Sequence, residues 1–298
     1  MKSLENKILE HAKKMEGKRI IDLFPKSEIE YGVDELEGYK IFKFQDCIDF
    51  ITQNKYDFSA KYHINKSNKN KNIMSDFIEQ GYFNREKNSS KKPDFEEAEL
   101  ELKVSGLKIN RKQTIINCKE RTKLKSINYE DLIRYENWNE NPDLFKKLSK
   151  ILFVMYYFET NSKRGFCKTK LGYNIGYENF KIIHTFKFSP SNRLSNIIQE
   201  DYSNMRKLAL KGKPLSERIL KSKVFGACPG HNYNYNKDNP ADSNPKSLTK
   251  HPFMKYAEIK AFQFKGRAVT ELIADSLGTK IKKDSGSTGL FPCDFPNF

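Results

Sequence analysis

Lys92-Pro93-Asp94-Phe95-Glu96-Glu97-Ala98-Glu99-Leu100-Glu101-Leu102-Lys103-Val104 is the stretch on which the reading of this chain turns. Ala98, Leu100, Leu102 and Val104 alternate with Glu99, Glu101 and Lys103, the period of two expected of a half-buried strand. That alternation predicts Glu99, Glu101 and Lys103 on one face. Pro93 biases Lys92 away from helix, so Asp94 arrives from a loop and can meet Glu101 over the same spot. Two carboxylates are hard oxygen ligands suited to Mg²⁺, which keeps some of its waters and binds substrate phosphates. A lysine beside them can orient a metal-bound water or offset phosphate charge. Taken alone, the pattern also fits the solvated face of an ordinary strand.

Upstream, residues 2–16 read as an amphipathic helix with Leu4, Ile8, Ala12 and Met15 on its buried side and Gly17 as its stop. Residues 26–66 are irregular, and residues 65–72 are a basic polar loop, either a linker or a DNA contact. Met74–Glu79 reads as helical. Downstream, Lys112–Cys118, Ile151–Phe158, Ile182–Phe188 and Ala261–Lys265 read as strands. Pro142 and Asp143 open a short helix through Lys147. Ser189-Pro190-Ser191 introduces a long one, with Leu194, Ile197, Ile198, Tyr202, Met205 and Leu208 at helical spacing and Gly212 at its end. A last helix covers Arg267–Leu277, capped at Gly278. Residues 226–256 are rich in Asn, Pro, Gly and Lys and read as one long loop.

The 298 residues are 37% hydrophobic and 31% charged, enough to bury a core and far from a disordered composition. A formal net charge of +16 points to a polyanionic partner, nucleic acid before a membrane surface. No apolar run approaches a membrane span, and the N-terminus reads as a Lys/Glu-rich helix rather than a signal peptide. Cys47, Cys118, Cys167, Cys228 and Cys293 are odd in number and scattered, the pattern of reduced thiols in a cytoplasmic protein.

The Asp94…Glu101-x-Lys103 spacing resembles the signature of restriction-type nucleases, and the chain as a whole resembles the MutH-like endonucleases, which include a mismatch-repair nickase and GATC-cutting restriction relatives. The resemblance spans roughly residues 1–24 and 70–278. Asp76–Phe83 is similar to a family helix that carries a further acidic residue, here Glu79. Leu144–Leu152 is similar to a helix-to-strand block that brings a second active-site lysine, here Lys147 with Lys146 as its rival. The Ser189-Pro190 helix, and Lys260–Lys265 leading into a helix, also match. Glu99 stands where the family has a small residue, and Ser75 where it has a helix glycine. Residues 26–66 look like an insertion.

The resemblance implies an α/β fold of the restriction-endonuclease type, a mixed sheet flanked by helices in two arms around a DNA cleft. Within a single nuclease domain over 1–298, the catalytic arm would be 67–188, the recognition arm 189–278 and the tail 279–298. It also implies Mg²⁺-dependent hydrolysis of double-stranded DNA, leaving 5′-phosphate and 3′-hydroxyl ends. Asp94, Glu101 and the Leu102 carbonyl would hold one or two Mg²⁺, Lys103 would act on the attacking water, Lys147 on the phosphate, and Glu79 would assist. Lys260, Gln263, Lys265 and Arg267, with His231, Asn232 and Asn234 behind them, are the candidates for DNA contact. A type II restriction enzyme cutting GATC as a homodimer on DNA is the leading expectation. A strand-specific repair nickase and a catalytically inactive DNA-binding protein are the alternatives.

Overall fold

The computed structural model describes residues 3–23, 33–36, 39–42, 73–83, 92–110, 112, 114–118, 121–158, 167–168, 174–175, 180–230, 241, 243–244, 248–255, 257–284 and 287–298. In chain order the elements are α1 (Leu4–Lys13), β1 (Val33–Leu36), β2 (Tyr39–Phe42) and α2 (Ile73–Asp76), which widens into a π-helical turn over Phe77–Tyr82. Then come β3 (Glu101–Ile109), β4 (Ile116–Cys118), β5 (Thr122–Ser126), α3 (Tyr129–Arg134), α4 (Pro142–Leu148) and β6 (Ile151–Phe158). These are followed by β7 (Cys167–Lys168), β8 (Asn174–Ile175), β9 (Lys181–Phe188), α5 (Asn192–Leu210) and α6 (Glu217–Leu220). The chain closes with β10 (Phe225–Pro229), β11 (Leu248–Thr249), β12 (Ala257–Glu258), β13 (Lys260–Phe264), α7 (Gly266–Ser276), β14 (Lys282–Asp284) and β15 (Ser287–Gly289).

Two sheets carry the architecture. The larger runs β4-β3-β6-β9 and is mixed: β3 and β6 are parallel, and the outer pairings are antiparallel. A parallel pair needs a long crossover. Here residues 110–150 supply it, carrying β4, β5, α3 and α4 on the way. The smaller sheet runs β10-β13-β5, all antiparallel.

Both faces of the larger sheet are covered, which is why Ile151–Phe158 reads as a continuous apolar run. On one face Leu102, Leu152, Val154 and Ile182 pack against Ile8, Ala12 and Met15 of the N-terminal segment and Met74 and Ile78 of the α2 region. On the other, Leu107, Ile109, Phe153, Met155, Phe186 and Phe188 join Tyr202 and Met205 of α5, Phe225 of β10, Phe262 and Phe264 of β13 and Val269 and Ile273 of α7. That second cluster runs between the two sheets as one core, each buried Leu, Ile or Phe contributing about 1.5–3 kcal/mol. Ser191 caps α5 by accepting from the Leu194 N–H (3.3 Å). Asp201, buried in α5, accepts the backbone N–H groups of Lys223, Val224 and Phe225 and so fixes the start of β10.

Several expectations change. Leu4 is exposed, and the buried stripe of the N-terminal segment begins at Ile8. Residues 226–229 are not loop: they belong to β10, an edge strand of the smaller sheet. β5, inside the expected catalytic arm, pairs with β13 of the expected recognition arm. The tail docks: Leu290 exchanges both backbone hydrogen bonds with Ile116 (2.7 and 3.0 Å) and is buried with Phe295. Among the described residues no helix is long and apolar enough to cross a membrane.

Candidate active site at the start of β3

Four groups meet where β3 begins. Phe95 and Leu100 bridge back to back around a 3₁₀ turn, Glu96–Ala98, closed by Glu99 in the left-handed conformation at φ 52°. The turn ends the alternation before Glu101. Glu99 is therefore not on the face shared by Glu101 and Lys103, as the period of two predicted: its side chain is 82% exposed, 4.0 Å from the Lys150 ammonium. The tight turn also folds Asp94 back along the strand. The Leu102 N–H donates to Asp94 Oδ2 at 2.8 Å.

That bond exists because of how β3 is paired. The Glu101 N–H donates to the Lys150 carbonyl ahead of β6. The polar groups of Glu101 therefore turn toward β6, and those of Leu102 turn to the open side, where β4 does not reach. The N–H and C=O of one strand residue point the same way, so the Leu102 carbonyl lies on the edge that Asp94 occupies.

Glu101 is buried at 2% exposure with a cation on each oxygen. Lys103 donates to Oε1 at 2.5 Å and Lys147 to Oε2 at 2.8 Å. Lys147 also donates to the Lys92 carbonyl at 2.5 Å, pinning the segment that leads into Asp94. α4 makes this possible. Asn141 caps it by accepting from the Leu144 N–H, Pro142 stands at its first position, and Lys147 falls in its last turn, where the helix dipole favours a cation. Lys147 is buried, whereas its neighbour Lys146 is exposed. Burial pushes the Glu101 carboxyl above the usual carboxylate range; Lys103 pulls it back, Asp94 adds to the rise, and Lys147 pulls back again, with the net shift upward.

Two neighbouring carboxylates, with a backbone carbonyl on the edge that Asp94 occupies, form a set of hard oxygen donors that fits Mg²⁺. Among the described residues there is no group of three His, Cys, Asp or Glu side chains that could hold a metal ion, so a cation at this spot would rest on Asp94, Glu101 and the backbone. Glu79 lies half-buried in the π-helical turn after α2.

The candidates for DNA contact are placed unevenly. Lys260 is buried and paired with Glu258 at 2.6 Å. Gln263 has no exposed surface, and its Oε1 has no hydrogen-bond partner. Neither side chain reaches a base edge in this conformation. Lys265 is half-buried, bonded to the Ser222 carbonyl and 3.4 Å from Glu217. Arg267 is exposed on the first turn of α7, paired with Glu271. His231, Asn232 and Asn234 fall outside the described residues.

A half-buried carboxylate also escaped the sequence reading. Glu16 accepts from the N–H and hydroxyl of Thr185 (2.6 and 2.8 Å), lies 3.6 Å from His184 Nδ1 and is met by Asn297. Burial would raise its pKa, but the hydrogen bonds from His184 and Thr185 outweigh this and hold it at about 2. It is a fastening between the N-terminal helix segment, β9 and the C-terminal tail. The polar Lys/Glu pattern around it carried no signal of that role.

Residues 83–201 match a family model described as DNA mismatch repair enzyme MutH. The matched segment holds Asp94, Glu101, Lys103 and Lys147, and it ends within α5, before β10 and β13. No curated protein matches the chain.

Proposed function

We propose, for a chain whose residues 83–201 match the family model of the DNA mismatch repair enzyme MutH, that it is a type II restriction endonuclease hydrolysing double-stranded DNA at a short specific site, GATC, with Mg²⁺. The observation that carries the reading is the cluster at the start of β3: Asp94 on the Leu102 N–H beside the buried Glu101, with Lys103 and Lys147 on the two Glu101 oxygens. When bound, the metal supplies Lewis-acid polarisation of the scissile phosphate and a more acidic water. Asp94, Glu101 and the Leu102 carbonyl would hold it. Lys103, which retains some exposure, orients the attacking water or takes up charge on the phosphate. Lys147 keeps Glu101 and the Lys92–Asp94 segment in register. Arg267, exposed at the start of α7, and Lys265 are the described candidates for reaching DNA. A net charge of +16 supports DNA, a polyanion, as the partner.

Two cuts in one duplex need two sites, so this reading includes a homodimer on DNA, in a cytoplasmic setting. The second reading is a strand-specific repair nickase, favoured by the repair enzyme that the matched family describes. Plasmid incubated with Mg²⁺ separates them: linear product with 5′-phosphate ends supports restriction, nicked circle alone supports the nickase. An intact plasmid bound by the protein leaves only an inactive DNA-binding protein.

A further inference from the structure

β5 belongs by pairing to the smaller sheet, but it touches two elements that carry the candidate active site, β3 and α4. Thr122 Oγ1 lies 3.1 Å from Ser105 Oγ, on the strand that carries Glu101 and Lys103 and two residues beyond Lys103. Lys125 Nζ lies 2.5 Å from Asp143 Oδ2, in the first turn of the helix that carries Lys147. Both side chains of this pair are largely withdrawn from water, at 17% and 14% exposure. Thr122 itself is buried. Between the two contacts the register of β5 against β13 slips: Lys125 faces Phe262 and Lys123 faces Gln263, so Leu124 is the extra residue of a bulge. A bulge bends the strand and re-aims the side chains beside it. β13 leads directly into Lys265 and Arg267 at the head of α7.

We infer that Lys125, acting through Asp143, is a positioning residue for cleavage: it transmits the placement of the β10-β13-β5 sheet to α4 and so sets Lys147 against Glu101. The inference rests on the nuclease reading above. The chain of contacts is short. β13 holds β5 by backbone hydrogen bonds, Lys125 holds the N-terminal turn of α4, and α4 is one rigid helix of seven residues ending at Leu148 beside the buried Lys147. A shift of the first turn moves the last one with it. Displacements of about 1 Å at a reacting centre cost up to roughly a hundredfold in rate. An ion pair on a surface contributes little of this kind; the low exposure of this one is what lets it set a geometry.

The test compares wild type, Lys125→Met, Asp143→Asn and the exchanged pair Lys125→Asp/Asp143→Lys, with Lys103→Ala as the inactive control. Single-turnover cleavage of plasmid, equilibrium DNA binding and thermal unfolding are measured on each. The expected result is a fall of about tenfold or more in the single-turnover rate of both single variants. Their DNA affinity stays within about twofold of wild type and their melting temperatures within a few degrees, and the exchanged pair recovers much of the rate. Single variants that cut at the wild-type rate overturn the inference. So does a loss of affinity that accounts for the whole loss of rate, because Lys125 would then be a DNA contact. So does an exchanged pair no faster than the singles. Wild-type protein that cuts no DNA overturns the nuclease reading itself, a result distinct from all of these.

Discussion

Replacing Lys147 by Met keeps the length of the side chain and removes its ammonium from Glu101 Oε2 and from the Lys92 carbonyl. The magnitude follows from burial. Removing one partner of a fully buried ion pair costs about 3–5 kcal/mol, because the other charge is left in low dielectric. Glu101 keeps Lys103 on its other oxygen, which holds the expected cost to about 2–3 kcal/mol at pH 8. The pH dependence has a definite sign. The Glu101 pKa is already raised in the fold, and losing a cation raises it further. Its ionised form is then penalised above the folded pKa, and the penalty fades as pH falls through that pKa and the carboxyl takes a proton. The cost of Lys147→Met should therefore shrink as the buffer is taken from pH 8 toward pH 5. Lys147→Met/Glu101→Gln should recover much of the stability, since no buried charge is then left short of a partner. Urea unfolding followed by circular dichroism at several pH values measures all three. A cost below about 0.5 kcal/mol at pH 8, a cost that grows on acidification, or a double variant less stable than Lys147→Met would refute the reasoning.

Asp94→Ala should abolish cleavage while DNA affinity, measured by gel shift without metal, changes by less than about threefold, because the residue faces the Leu102 N–H and the acid pair rather than phosphate; cleavage at the wild-type rate would remove Asp94 from the site. Glu16, held at about 2 in the fold, contributes stability that is full above its unfolded value near 4.5 and is lost as pH falls from there toward 2. Glu16→Gln should accordingly cost about 1–3 kcal/mol at pH 7 and flatten acid unfolding over that window, and an unchanged acid profile would contradict it. Gly289→Ala should loosen the C-terminal tail, since a Cβ there would come 2.4 Å from the Ile116 carbonyl, a backbone atom that cannot yield cheaply; limited proteolysis should release fragments ending before Lys282, and a wild-type digestion pattern would show that the tail absorbs the strain.

The elements that could be read from the sequence were those whose pattern is local. β6 repeats Ile151–Phe158 residue for residue, because a strand covered on both faces is apolar throughout. α5 keeps its helical spacing and its Ser191 cap. β3 kept Glu101 and Lys103 on one face, since a period of two survives any later packing. The rest was set by a local turn that the alternation does not show, or by partners distant in the chain. Glu99 satisfied the alternation, but the left-handed turn at its own backbone took it out of the strand. Phe225–Pro229 contains a glycine and ends in a proline, the composition of a loop, and becomes strand because β13 pairs along it. Thr122–Ser126 is too charged to read as a strand until β13 is placed beside it. Lys260 and Gln263 look like residues for DNA, and only the folded sheet reveals that both are buried. The choice between Lys146 and Lys147 likewise depends on which side of α4 faces Glu101.

The most direct test of the central claim is plasmid cleavage by the purified protein with Mg²⁺, with and without adenine methylation at GATC, followed by sequencing of the ends. Discrete double-strand ends at GATC, carrying 5′-phosphates, are expected from the wild-type protein and are lost in the Asp94→Ala protein. Cleavage in neither Mg²⁺ nor Mn²⁺ by a protein that still binds the DNA tightly would contradict the claim.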